Sequence, residues 1–168
     1  MANLETPSWT TQVLLTSSDH TADVAKFLRQ GFAAGDVLLL SGPIGAGKSC
    51  FARALIRALL SDHDQIEDIP SPTFTLVQSY QAGDLEIWHS DLYRLTYSDE
   101  VAELGLFDAF QVALCIVEWP DRLGIEAPKS ALSLDFGLCD NEDHRLLKIT
   151  AHSDKWDWVN TKLLAYHV

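Results

Sequence analysis

The stretch "GPIGAGKS", residues 42–49, sets three glycines, one lysine and one hydroxyl within eight residues. It matches G-x-x-x-x-G-K-[ST] without a gap, and each residue type has a physical task. Glycines let successive backbone N–H groups curl around an anion with no Cβ in the way. A helix that starts where such a loop ends turns its positive end toward the anion. On this reading Gly42, Gly45, Ala46, Gly47 and Cys50 line a bound nucleotide. Lys48 reaches its β- and γ-phosphates, and the Ser49 hydroxyl ligates Mg²⁺. The pattern also arises by chance, so its context decides. The apolar run 37–40 before it reads as a strand and residues 51–60 after it as a helix.

A phosphate cradle needs a second anchor for its metal, an acid at the end of an apolar strand. Two are available: Asp91 after "LEIWHS" and Glu118 at the end of "ALCIVE". Each also reads as a turn cap or a strand-end surface charge, but the ligand edge of an α/β sheet is where carboxylates do chemistry. A third feature is "SPTF", residues 71–74. Pro72 restricts Ser71 to extended geometry and is expected to keep the loop from turning helical. The Ser71 and Thr73 hydroxyls then face the γ-phosphate and metal, as in a switch loop. His89, beside Asp91, reads equally as a catalytic group or a packing histidine.

These residues need elements to hold them. Residues 18–33 carry Val24, Phe27, Leu28 and Phe32 at helical spacing, ending near Gly31 or Gly35. Residues 36–41 predict a buried parallel strand and 48–60 a helix. The period then switches to two, predicting a hairpin of strands 73–80 and 85–89 about the turn "QAGD". Residues 98–110 predict one or two short helices stopped by Gly105, and 112–118 a buried strand. A second hairpin, 132–138 with 146–151, precedes a helix capped by Ser153. The order predicts a P-loop NTPase-like α/β fold, a three-layer sandwich with a mixed sheet, in one domain over 1–168.

The charge narrows the function. Twenty-four acidic against 12 basic residues leave a net charge of −12. A chain that grips nucleic acid needs a basic patch to neutralise phosphates, so direct tRNA or DNA binding is not expected, nor is membrane anchoring. The N-terminal "MANLETPSWTTQVLL" lacks the basic and apolar regions of a signal peptide, and no apolar run is long enough to span a bilayer. Cys50, Cys115 and Cys139 cannot all pair and lack metal-ligand spacing, which implies reduced thiols and a cytoplasmic protein. The first helical turn could lower the pKa of Cys50, although plain packing is the simpler role.

"GPIGAGKS", "SPTF", "WHSDLYRL", "ELGL" and "VEWPDRL", in this order and spacing, resemble the TsaE family over about residues 18–125. These are small bacterial P-loop ATPases of tRNA threonylcarbamoyladenosine modification. The resemblance implies ATP and Mg²⁺ as cofactors, with Lys48 and Ser49 in the loop and Ser71 and Thr73 in a switch-like S-P-T. It makes Asp91, in the pattern from His89 to Arg94, an acid implicated in activity. Glu118 becomes the acid associated with Mg²⁺, Trp119 an aromatic near the nucleotide, and Thr21 a residue near the base. Where the family commonly has G-D-x-G-x-G-K-T-T, this chain has Pro43, Ser49 and Cys50; serine remains a competent metal ligand. The implied partners are the TsaD and TsaB proteins, which carry the transferase chemistry while the ATPase resets their complex. An acidic chain that works on proteins and leaves tRNA to others fits a charge of −12.

Two other readings compete. A small-molecule kinase needs an arginine-bearing lid to exclude water. Between residues 95 and 144 the basic residues are only Arg122 and Lys129, poor material for one. A nucleotide-responsive interaction module with incidental hydrolysis is separated from an ATPase by phosphate release with and without partners.

Overall fold

Val37–Ser41 (β2) is apolar at four consecutive positions because both of its faces are covered. Alternate side chains of a strand point to opposite sides, and two cores follow from that period of two. Leu38 and Leu40 face one core, with Val24 and Leu28 of helix α1 (Ser18–Leu28) and Phe51 and Leu55 of α2 (Lys48–Ser61). Val159 and Leu163 of α5 (Asp157–Tyr166) close the same face. Val37 and Leu39 face the other core, with Val101 of α3 (Ser98–Glu103) and Leu106 and Phe110 of α4 (Leu106–Val112). The computed structural model that shows this describes residues 5–166. The start of the stretch weighed for a signal peptide, residues 1–4, lies outside them.

The remaining strands are β1 (Trp9–Leu15), β3 (Val77–Ala82), β4 (Leu85–Asp91), β5 (Leu114–Glu118), β6 (Leu132–Leu138) and β7 (Arg145–Ala151). They form one sheet in the order β1-β7-β6-β2-β5-β4-β3. The central β6, β2, β5 and β4 run parallel, while β3, β7 and β1 pair antiparallel at the two sides. Helices on both faces make the three-layer α/β sandwich with a mixed sheet. Among the described residues no helix is long and apolar enough to cross a membrane.

Three local expectations are corrected. Residues 73–76 are not strand. A helical turn follows Pro72, closed by the Leu76 N–H donating to the Pro72 carbonyl at 2.7 Å, and pairing with β4 begins only at Val77. Proline has no N–H to offer, which the first residue of a helical turn does not need, so Pro72 starts the turn it was expected to prevent. Val112 ends α4 instead of opening β5. Strand β1 is an addition, with Val13 and Leu15 buried and Leu14 exposed along the side of β7.

The parallel register builds the site. Asp91 of β4 lies opposite Glu118 of β5, and Glu118 opposite Leu40 of β2, at the edge where β2 runs into the glycine loop. The loop leaves β2 beside β6: a Cβ on Gly42, whose φ is +138°, would sit 2.3 Å from the Phe136 carbonyl oxygen. Gly45, with φ +79°, has open space where its Cβ would go.

These two glycines should respond differently to alanine. Gly45→Ala carries only the left-handed strain, about 1 to 2 kcal/mol. Gly42→Ala adds a backbone collision and should cost at least about 1 kcal/mol more, roughly 2–4 °C further in melting temperature. Equal melting temperatures for the two variants would show that the loop does not rest on β6.

Candidate functional site

The glycine loop, the turn after Pro72 and the ends of β4 and β5 enclose a cleft of about 500 Å³. It is lined by Gly45, Gly47, Lys48, Ser49, Cys50, Thr73, Asp91, Glu118 and Trp119, bringing together residues drawn from four separate stretches of sequence. Thr21 and Ala46 face a second, polar hollow of about 320 Å³ on the other side of the loop, with Ser17, Glu142, Asp143 and Arg145. Gly42 stands behind the loop at its base, and Ser71 reaches the cleft only through its hydrogen bond to Thr73 at 2.8 Å.

Helix α2 begins at Lys48, so its unpaired N–H groups and positive end open toward the loop. The Lys48 ammonium donates to the carbonyls of Gly42 and Pro43 and lies 4.3 Å from the centre of the Trp119 ring. Among the described residues it has no carboxylate partner at ion-pair distance. Burial pushes its pKa below the usual lysine value, while Glu118 and then Asp91 oppose that shift. The cation is therefore held by dipoles and a ring face, interactions an incoming anion can outbid.

The two acids are fixed in different ways. The Ser49 hydroxyl donates to Glu118 Oε1 at 2.7 Å, and the other oxygen, Oε2, lies 2.7 Å from His89 Nε2. Asp91 accepts from Thr73 Oγ1 at 3.2 Å and from the Tyr93 N–H at 3.0 Å. A hydroxyl has one proton and two lone pairs, so Ser49, with its proton on Glu118, keeps lone pairs free for a cation. Among the described residues no three His, Cys, Asp or Glu side chains form a closed metal site. The oxygens of Ser49, Thr73, Asp91 and Glu118 instead suit a hard cation such as Mg²⁺, which binds through few protein ligands and keeps water and phosphate oxygens for the rest.

Trp119 has φ 59° and ψ 54°, a left-handed conformation uncommon for a bulky residue. Its N–H donates to the Leu40 carbonyl at 3.2 Å, continuing the sheet past Glu118. The ring packs 4.8 Å from Tyr93, on the side of the Thr73 turn and away from the Thr21 hollow. Burial raises the pKa of Cys50, and its thiol lies 3.5 Å from the Ser18 carbonyl. Burial likewise pushes Cys115 up to about 12, and all three cysteines are free.

Arg145 lines the polar hollow and Tyr93 the cleft, and neither carries a signal in the sequence. Arg145 of β7 donates to the Gly45 carbonyl at 3.2 Å from 100 residues away, a contact with no local signature. Tyr93 sits within "HSDLYR", where Asp91 and His89 are the residues whose types suggest chemistry.

Comparison with known proteins bears on this geometry. A family profile described as threonylcarbamoyl adenosine biosynthesis protein TsaE matches residues 15–146, a longer stretch than the motifs alone mark out. A Rickettsia conorii protein named tRNA threonylcarbamoyladenosine biosynthesis protein TsaE is 34% identical over 140 residues, 83% of this chain and 78% of its own length. A Bacillus subtilis protein of the same name is 30% identical over 146 residues, 86% of this chain and 88% of its own. The crystal structure of Bacillus subtilis YdiB superposes with a TM-score of 0.76 at 25% identity, covering 95% of this chain and 97% of that one.

An anion entering the cleft should draw the Lys48 ammonium off the Trp119 ring and change its emission. Titration with ADP should therefore shift tryptophan fluorescence in the wild type, and Trp119→Phe should remove most of that response. A response that survives the substitution would mean that Trp119 does not face the ligand.

Proposed function

The chain belongs to the TsaE family, and from that membership we propose that it is an Mg²⁺-dependent ATPase of threonylcarbamoyladenosine biosynthesis on tRNA, acting on the TsaD–TsaB complex. The observation that carries the reading is the 2.7 Å contact between Ser49 of the glycine loop and Glu118 at the end of β5. It joins a phosphate cradle to a strand-end acid, the pairing that a metal-bound nucleoside triphosphate needs.

The chain's residues divide the work. Loop N–H groups and the α2 N-terminus hold phosphate oxygens, and Lys48 leaves the loop carbonyls for the β- and γ-phosphates. The polar hollow of Thr21, Ser17, Glu142, Asp143 and Arg145 takes the base and ribose. Ser49 and Glu118 hold the cation side, with the Thr73 hydroxyl able to join them. Mg²⁺, when bound, offsets charge on the phosphate oxygens and polarises the group to be transferred. Asp91, tied to Thr73 and Tyr93, keeps acceptor capacity on the cleft and orients water there.

A protein partner fits better than nucleic acid. The net charge of −12 repels phosphate backbones. Ile44 on the cleft lining and Phe74, next in sequence to the cleft residue Thr73, are 73% and 82% exposed, apolar surface for another protein to cover. Open to solvent as it stands, the cleft should turn over slowly until a partner completes it.

Phosphate release from ATP and Mg²⁺ should be slow for the chain alone and rise at least about tenfold with TsaD–TsaB, the contribution of one or two added transition-state contacts. No release in either condition would overturn the ATPase reading, and equal release in both would overturn the partner reading. Phe74→Ala should keep the unaided rate and lose most of the stimulation.

Two further variants separate binding from chemistry. Lys48→Ala should abolish hydrolysis while keeping the wild-type circular dichroism spectrum. Asp91→Ala should bind ATP yet turn it over at least about a hundredfold more slowly, as expected for loss of a group that orients the nucleophile. Normal turnover in either variant contradicts the role given to that residue.

A further inference from the structure

His89 is wholly buried and does not line the cleft, yet its Nε2 lies 2.7 Å from Glu118 Oε2. In the sheet it sits opposite Ile116, one same-face step before Asp91 meets Glu118. The ring therefore lies beneath the acid and meets it from the protein interior. A proton on Nε2 makes the ring the donor to that carboxylate oxygen. The other ring nitrogen, Nδ1, is buried with no hydrogen-bond partner among the described residues. An apolar side chain of similar size would fill the space without that unmet polar atom, so packing alone does not account for histidine here.

Both Glu118 oxygens are thus engaged, Oε1 by Ser49 from the glycine loop and Oε2 by His89 from β4. Without His89 the carboxylate could rotate about its last bond and present either oxygen, or neither, to Ser49. We propose that His89 is a positioning residue. By holding Oε2 it keeps Oε1 on the Ser49 hydroxyl, so that the Ser49 lone pairs point into the cleft where Mg²⁺ is to bind. The inference rests on the reading of the cleft as an Mg²⁺–nucleotide site. Partners of metal-binding groups that act in this indirect way typically change metal affinity by about 10- to 100-fold.

The test is calorimetric titration of the full chain with ADP, with and without Mg²⁺, in wild type, His89→Leu and His89→Gln. Glutamine can bring an amide N–H to the position of Nε2; leucine cannot. Without Mg²⁺ the three proteins should bind ADP alike. With Mg²⁺ the wild type and His89→Gln should gain affinity, and His89→Leu should lose at least about tenfold of that gain. If His89→Leu lacks the wild-type circular dichroism spectrum, His89→Met takes its place. Full Mg²⁺ gain in the folded apolar variant overturns the inference, as does a glutamine variant as impaired as the apolar one. A wild type that binds ADP with no Mg²⁺ gain overturns the underlying reading of the cleft itself.

Discussion

Glu118 is a carboxylate with 1% of its surface exposed, and the geometry of the whole site follows from how its charge is accommodated. A buried anion is costly unless donors surround it. Here the donors come from two different elements, Ser49 at the start of α2 and His89 on β4. The glycine loop, β4 and β5 therefore meet at one group, and none can shift without leaving part of a charge unmet. Leu92 donates to the Glu118 carbonyl at 3.1 Å and Trp119 to that of Leu40 at 3.2 Å, so the backbone around the acid is tied to both neighbouring strands. The parallel order β2-β5-β4 makes this arrangement possible, because it delivers Leu40, just before the glycine loop, Glu118 and Asp91 to one edge of the sheet.

Lys48 supplies the complementary half. In a chain with twice as many acids as bases, this cation has no carboxylate at ion-pair distance among the described residues and is laid over Trp119. The ring is where it is because Trp119 adopts a left-handed conformation, a strain of roughly 1 to 3 kcal/mol for such a residue. An extended residue at that position would continue β5 past the sheet edge. The turn instead brings the indole back over the cleft, and Pro120 follows at the start of a short 3-10 segment. On the proposed function, phosphates take the place of the carbonyl and ring contacts that Lys48 makes in the free protein.

What was legible in the sequence is what local chemistry encodes. The glycine loop is a contiguous pattern, and Asp91 and Glu118 announce themselves as charges at the ends of apolar runs. The central strands were readable because burial on both faces makes them apolar throughout. Strand β1 was not, since polar Thr10 to Gln12 leave only a short alternation after Trp9 and its pairing is with β7 at the far end of the chain. The turn at Pro72 is not legible because proline restricts the residue before it and leaves the following ones free to turn. Arg145 reaches from β7 past β6 to Gly45, and His89 of β4 reaches Glu118 on the neighbouring β5. Contacts of that kind depend on strand order and register, which no single stretch of residues specifies.

The contact between Ser49 and Glu118 can be measured as a coupling. A double-mutant cycle of Ser49→Ala and Glu118→Ala, read as ADP affinity with and without Mg²⁺, isolates the shared contribution from the separate ones. If the two side chains form one cation site, the coupling should reach about 1.4 kcal/mol or more, tenfold in affinity, when Mg²⁺ is present, and should be much smaller without it. Additive effects under both conditions would mean that the contact seen between them has no part in binding a metal-bound nucleotide.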